Sequence, residues 1–172
     1  RIPNSRDRYY LMKYDVATGL SERLTYGSHN VYLNDISPDG KKLLCSTSKP
    51  DITRCPFSLS SLFEIDLTTL QADTLVAWDA YLGSASYSPD GKQLLVTGSP
   101  SAFGGIGKNC GEHPIANDFD TQAFIMDLAT KKVQAITRDF NPTVSPVQWN
   151  RVDGCIYFDT TDGDCRHIYR YV

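Results

Sequence analysis

The densest run of residues able to do chemistry is Ser99–Thr121, SPSAFGGIGKNCGEHPIANDFDT. Its Glu112, His113, Asp118 and Asp120 could gather charge, but a metal site needs at least three convergent ligands, and an oxygen-rich one needs more. Asp118 and Asp120 read first as residues that turn the chain into the next strand. The piece Gly104–Lys108, GGIGK, lacks the spacing of a phosphate loop: Ala102 stands where the first glycine belongs, and Asn109 where Ser or Thr belongs. Gly105, Gly107 and Gly111 also miss the dinucleotide pattern G-x-G-x-x-G. A second acidic run, DTTDGDC over Asp159–Cys165, resembles part of a calcium loop without its distal glutamate, and D-G between apolar runs is first a hairpin turn. Neither run assigns a metal or a cofactor.

Hydrolytic chemistry has no better footing. No G-x-S-x-G elbow occurs, and the nearest stretch, Gly83-Ser84-Ala85-Ser86-Tyr87, ends on tyrosine. His29, His113 and His167 would each need a nucleophile and an orienting carboxylate, so each reads as structural. No catalytic residue is nominated.

The elements that would position these residues repeat. ISPDGKKLLCST (Ile36–Thr47) recurs as YSPDGKQLLVTG (Tyr87–Gly98), a step of 51 residues from Gly40 to Gly91, and Gly154 in WNRVDGCIYF marks a weaker third copy. Between the copies run LMKYDVATG (Leu11–Gly19), LFEIDLTTL (Leu62–Leu70) and AFIMDLATK (Ala123–Lys131). Pro presets φ, Asp bonds to nearby backbone and Gly accepts positive φ, so S-P-D-G is a tight turn between antiparallel strands. The two motifs alternate, which predicts four short strands per unit: Leu33–Ile36, Lys41–Ser46, Leu62–Asp66 and Ala72–Val76, then Ser84–Tyr87, Lys92–Thr97, Gln122–Asp127 and Val133–Thr137. No helical periodicity stands out.

Four-stranded units at this period predict an all-β chain, a β-propeller segment of antiparallel blades. The units fall at about 1–27, 28–79, 80–139 and 140–172, giving two full blades with a partial blade at each end. Some thirteen strands are too few for a ring of four to eight blades. The chain is therefore expected to come from a longer protein, with open edges able to pair with a second copy. The longer step between the second and third D-L-x-T motifs comes from the 99–121 insertion. Long excursions from a rigid scaffold tend to carry function, and Gly104, Gly105, Gly107, Asp118 and Asp120 are its candidate substrate or partner contacts.

Bulk properties set the frame. The 172 residues carry a net charge of −3, with 41% apolar and 22% charged residues, the balance of one folded domain. Lys41-Lys42 and Lys131-Lys132 are isolated pairs beside turns, so no basic surface invites nucleic acid. No apolar run reaches a membrane span of about 20 residues. A secretory signal is absent, and a start at Arg1 implies an N-terminus already removed. The five cysteines lack metal spacing. Cys45 sits where the second copy has Val96 and reads as a buried apolar residue, while a Cys45–Cys55 or a Cys155–Cys165 disulfide remains open in an oxidising compartment.

The S-P-D-G-K copies, each followed by an apolar strand and then by D-L-T/A-T, resemble the repeats of TolB-type and prolyl oligopeptidase-family propellers. The stretch from VTGSPSAFGGIGKN to DFNPTVSPVQWN is similar to the N-terminal propeller of bacterial serine peptidases of the dipeptidyl peptidase IV or acylaminoacyl peptidase kind. That resemblance implies a non-catalytic propeller that gates peptide substrate and contacts a C-terminal α/β-hydrolase domain holding the catalytic residues. It also implies a periplasmic or secreted location. The dipeptidyl peptidase branch uses two adjacent glutamates, whereas Glu22, Glu64 and Glu112 are not neighbours. The other expectation is a TolB-like propeller acting as a protein-binding scaffold without peptidase activity.

Overall fold

The computed structural model describes residues 8–109 and 119–172. Local turns come first, because they set the register of everything else. Ser37 Oγ donates to Asp39 Oδ1 (2.7 Å), which also accepts the Lys41 N–H (3.1 Å), and Ser37 Oγ accepts the Lys42 N–H (2.9 Å). Ser88, Asp90, Lys92 and Gln93 repeat the set at 2.7, 3.1 and 2.9 Å. In the third copy Asn150 replaces the serine, and Asp153 Oδ1 accepts the Cys155 N–H (3.0 Å). Gly40, Gly91 and Gly154 take φ of 71°, 70° and 70°, the left-handed region where a Cβ is strained. The intervening motif is also a turn. Asp15, Asp66 and Asp127 each accept the backbone N–H three residues on, at 2.8, 2.9 and 2.7 Å.

Among the described residues thirteen strands form four antiparallel sheets. The first pairs β1 (Met12–Tyr14) with β2 (Ser21–Arg23). The second is a meander of β3 (Val31–Ile36), β4 (Lys42–Pro50), β5 (Ser58–Asp66) and β6 (Ala72–Asp79). The third repeats it with β7 (Leu82–Tyr87), β8 (Gln93–Gly98), β9 (Gln122–Asp127) and β10 (Val133–Ala135). The fourth holds β11 (Val144–Trp149), β12 (Ile156–Asp162) and β13 (Cys165–Tyr171). These are blade-like units in an open series, with no closed ring among the described residues.

The strands outrun the apolar pattern where pairing continues through polar residues. Pairing of β4 with β5 runs out to Pro50 opposite Ser58, well beyond the predicted Ser46. The ladder needs only backbone donors and acceptors, so a sequence reading that follows apolar side chains stops early. The described part of the insertion also contains a short turn, α1 (Ala102–Gly105), in which Phe103 and Gly104 leave the right-handed helical region, so it gives no periodic signal. Neither disulfide forms, and Cys45, Cys55, Cys155 and Cys165 are free. Cys155 and Cys165 bracket opposite ends of the β12–β13 hairpin, roughly 20 Å apart at the rise of a strand. Cys45 is fully buried in mid-strand, and burial pushes its thiol up to about 12.

Among the described residues three apolar cores join successive sheets. Leu43, Cys45 and Ile65 pack with Leu11 and Leu24 between the first and second sheets. Leu44, Leu62, Leu94, Val96, Phe124 and Met126 fill the space between the second and third. Leu95, Ala123, Val144, Ile156 and Phe158 fill that between the third and fourth. A buried side-chain contact crosses the middle core. The Tyr87 hydroxyl donates to Glu64 Oε1 (2.7 Å), and Lys42 Nζ meets Glu64 Oε2 (2.9 Å). Glu64 is buried, so both bonds offset the cost of taking its charge out of water. Burial first, then the Glu64 carboxylate, raises the Tyr87 phenol above its ordinary range and keeps it a donor. Glu64 likewise raises Lys42.

Tyr87→Phe removes one of these donors without opening a cavity, and should cost about 1.5–3 kcal/mol in urea unfolding, the range for a hydrogen bond to a charged group. A loss below about 0.5 kcal/mol would show that the bond contributes nothing.

The turn aspartates predict a pH dependence. Hydrogen bonds from Ser37 and Ser88 first, then from backbone N–H groups, hold Asp39 and Asp90 below the ordinary aspartate value of 3.8. Backbone and threonine donors do the same for Asp15, Asp66 and Asp127. A depressed folded value means that the stabilisation is complete above the unfolded value and is lost as pH falls through the folded one. The urea midpoint should therefore be flat above about pH 5 and fall below about pH 4. The double variant Asp39→Asn, Asp90→Asn should show a shallower acid slope, and an unchanged slope would contradict the assignment.

Candidate functional site

Strand direction divides the molecule into two ends. The S-P-D-G and D-x-x-T turns lie at one, where the aspartate oxygens are taken up by the chain itself. The other end carries connections of very different length, from the two-residue β6–β7 link (Ala80-Tyr81) through the β2–β3 and β4–β5 loops to the β8–β9 insertion. Loops of variable length on a fixed frame are where binding surfaces form, and two clefts open here, at the rim of the second sheet.

The first, of about 310 Å³, is lined by Arg54, Cys55, Trp78, Asp79, Tyr81 and Phe103, among others, and by Gly104. Asp79 is its organiser. Its Oδ1 accepts the Tyr81 N–H (2.8 Å) and its Oδ2 the Phe103 N–H (2.7 Å), which ties the insertion to the end of β6. Trp78 and Phe103 both hold positive φ, 52° and 54°, rare for bulky residues. Backbone held this way clusters at functional sites and persists only where its surroundings impose it. Here Asp79 fixes Phe103, and packing of Phe103 on Phe124 (5.1 Å between centroids) anchors it to the core.

The second cleft, of about 520 Å³, is lined by Arg8, His29, Ser48, Lys49, Phe57 and Ser58 together with Ser28, Asn30 and Pro50. Lys49 Nζ lies 4.0 Å from the centre of the Trp78 ring, and His29 sits 5.9 Å from the same ring, so the Lys49–Trp78 pair forms the divide between the two clefts. Phe57 at 64% and Ile52 at 86% exposure stand on the same β4–β5 loop.

The predicted contact residues separate by role. Gly104 is exposed, lines the first cleft and takes φ 75°. Gly105, at φ 87°, lies against the Lys108 side chain. Gly107 is turned inward: a Cβ there would stand 2.4 Å from Gln122 Oε1, 3.0 Å from Phe124 and 3.1 Å from the Pro100 carbonyl. Asp120 accepts from the Thr143 hydroxyl (2.7 Å), linking the end of the insertion to the segment before β11. Asp118, with Glu112, His113 and Cys110, lies outside the described residues.

Ser28 Oγ lies 3.4 Å from His29 Nδ1, but the other ring contact of His29 is Trp78, not a carboxylate. His167 stands against Tyr169. In the DTTDGDC run Asp159 pairs with Arg166, and Gly163 takes φ 62° in the β12–β13 hairpin. Among the described residues no group of three His, Cys, Asp or Glu converges as a metal site would require. Sequence reasoning missed Arg8, Lys49 and Trp78 and read His29 as structural; the four come from separate segments with no shared spacing.

The glycines differ in a testable way. Gly107→Ala meets backbone and ring atoms, and should cost about 1–3 kcal/mol by overpacking. Gly104→Ala meets nothing within 4 Å and should cost about 1 kcal/mol, through its backbone conformation alone. Thermal unfolding of the two variants checks this, and equal losses would contradict the packing role of Gly107.

No protein-family model and no curated protein matches the chain. Solved structures do match in fold. TolB from Acinetobacter baumannii aligns at 20% identity and a TM-score of 0.61, over 94% of this chain and 34% of that one. Oligogalacturonate lyase from Vibrio parahaemolyticus aligns at 16% identity and 0.70, over 95% and 44%. An acylaminoacyl peptidase in complex with Z-Gly-Gly-Phe-chloromethyl ketone aligns at 16% and 0.50, over 91% and 27%. The chain thus spans less than half the length of each of these proteins, and at these identities the likeness is one of fold: a series of blade-like sheets of the propeller type.

Proposed function

We propose that this chain is part of a TolB-like propeller that works as a protein-binding scaffold, with its loop end as the binding face. One observation carries the reading. The two neighbouring clefts, the exposed Phe57 and Ile52, and the constrained Trp78 and Phe103 stand together at one rim of the second sheet, whereas the exposed Val16, Leu70 and Val152 and the positive-φ Leu70 and Lys131 of the turn end are spread over the turns of different sheets. Exposed apolar side chains beside preformed clefts are the usual mark of a partner surface. Gly104 belongs to that face, and Asp120 supports it from behind. The fold likeness to TolB fits this role, and a periplasmic or secreted site of action accompanies it as part of the proposal. Further sheets, or a second copy of the chain, would cover the open faces of the first and last sheets.

The second reading keeps the same face but places it over an α/β-hydrolase domain, as a substrate gate in a dipeptidyl peptidase IV-like enzyme. The residues favouring it are those of the 99–121 insertion, of which Ser101, Phe103 and Gly104 line the first cleft.

Photo-crosslinking in the native cell separates these readings from one another and from neither. A photoreactive phenylalanine analogue replaces Phe57 or Ile106 at the loop end, and Val16 or Lys41 at the turn end. The scaffold reading expects adducts to a separate protein from the loop-end positions only. Adducts confined to a hydrolase domain of the same polypeptide would favour the gate. Equal yields from both ends would overturn the loop-end assignment.

A further inference from the structure

The second cleft has a one-sided charge. Arg8, His29 and Lys49 line it, and none of its lining residues is Asp or Glu, although the chain carries 20 acidic residues against 17 basic ones. Among the described residues the ion pairs are Lys42–Glu64, Arg54–Asp51, Lys131–Asp73 and Arg166–Asp159, so neither Arg8 nor Lys49 has a carboxylate partner. Lys49 instead rests its ammonium on the Trp78 ring. A cation held over an aromatic face keeps its full charge and its hydrogen-bond donors available. Ser48 and Ser58 also line the cleft.

This set is built for a carboxylate. A guanidinium and an ammonium can bracket two carboxylate oxygens with charge-assisted bonds, and serine hydroxyls can complete their lone pairs. Across the Lys49–Trp78 divide, the first cleft offers Tyr81 and Phe103 for an apolar group, and Phe57 stands at the rim. A ligand that uses both clefts carries a carboxylate next to an aromatic or large apolar side chain. Nucleic acid would need a run of cations tracking successive phosphates, which this small cleft in an acidic chain does not supply.

We propose that the cleft lined by Arg8, His29 and Lys49 receives an acidic peptide segment of the partner, with a Glu or Asp carboxylate between Arg8 and Lys49 and a neighbouring aromatic ring against Trp78 and Phe57. The proposal rests on the scaffold reading and names the chemistry of its partner.

Isothermal titration calorimetry with Ac-Glu-Phe-Glu-Glu-NH2 tests it, with Ac-Lys-Phe-Lys-Lys-NH2 and free glutarate as the other arms. The acidic peptide should bind saturably and weaken as NaCl rises from ~50 to ~300 mM. Lys49→Gln and Arg8→Gln should each weaken it roughly tenfold, with an unchanged circular dichroism spectrum. The basic peptide should not bind, and glutarate should bind at least about tenfold more weakly, since it makes no aromatic contact. Glutarate binding as tightly as the peptide would make the site one for a small carboxylate and overturn the peptide assignment. Absence of acidic-peptide binding, or binding indifferent to both substitutions, would overturn it as well. Crosslinking through Phe57 keeps the two failures apart. Adducts to a partner without acidic-peptide binding sink only this inference, whereas no loop-end adducts at all sink the scaffold reading.

Discussion

Leu43, Leu44 and Cys45 follow one another on β4, and a strand turns consecutive side chains to opposite faces. All three are buried, so the sheet that carries them must be covered on both sides. Leu43 and Cys45 meet the first sheet and Leu44 meets the third. The same holds one unit on, where Leu94 and Val96 face back and Leu95 faces forward. A one-residue slip would exchange the two sets. What prevents the slip is the turn. Ser37, Ser88 and Asn150 donate their N–H to the carbonyls of Lys42, Gln93 and Cys155 at 2.9, 2.8 and 2.8 Å, which sets the first rung of each hairpin. The turns are thus far from the loop-end clefts yet determine which residues reach them.

That constraint also explains what the sequence made legible. A paired turn motif at a fixed step is visible because each unit solves the same geometric problem, so the order of strands and their pairing follow from Asp, Gly and the apolar runs. The polar halves of β4 and β5 were not legible, since ladder bonds leave no mark on side-chain type. Glu64 did leave a mark, a glutamate inside the apolar run L-F-E-I, but its partner Tyr87 lies 23 residues away, and no spacing rule connects them. The clefts were least legible of all. Arg8, His29, Lys49, Phe57 and Trp78 meet because the segment before β1, the β2–β3 and β4–β5 loops and the ends of β4 and β6 come to one rim, and proximity of that kind is a property of the sheet register, not of any short motif. Of the glycines in the insertion, only their number was readable; that Gly104 faces outward and Gly107 inward depends on how Asp79 catches Phe103.

The outer sheets show the constraint unfilled. By turn register Met12 and Tyr14 on β1 correspond to Phe63 and Ile65 on β5 and to Phe124 and Met126 on β9. Those four are packed against a preceding sheet, whereas Met12 and Tyr14 are 48% and 62% exposed. At the far end Tyr157 takes the place of Leu44 and Leu95. The two faces differ in kind: the first is aromatic and apolar, with Arg23 lying over Tyr10 and Tyr26, and the last is polar, with the Tyr157 hydroxyl bonded to Asp153 and Arg166 paired with Asp159.

The pairs directly opposite one another on the forward faces make the same point for the interior. Leu44 stands opposite Glu64, Leu95 opposite Ile125 and Tyr157 opposite Arg170. The backbone repeats, but the chemistry presented to the next sheet does not. A sheet following Glu64 must bring a donor to a buried carboxylate, and Tyr87 does so from the residue just before its S-P-D-G turn. A neighbour with an aliphatic side chain there would leave that oxygen unpaired, at a cost of about 1–3 kcal/mol or more. The forward face of the third sheet asks the reverse, because Ile125 and Leu95 accept only an apolar neighbour, and Ile156 and Phe158 supply it. Sheets built on one template are therefore not interchangeable. Their order along the axis is specified by whether the junction is polar or apolar, and with the order fixed, the loops that build the clefts can come together in only one arrangement.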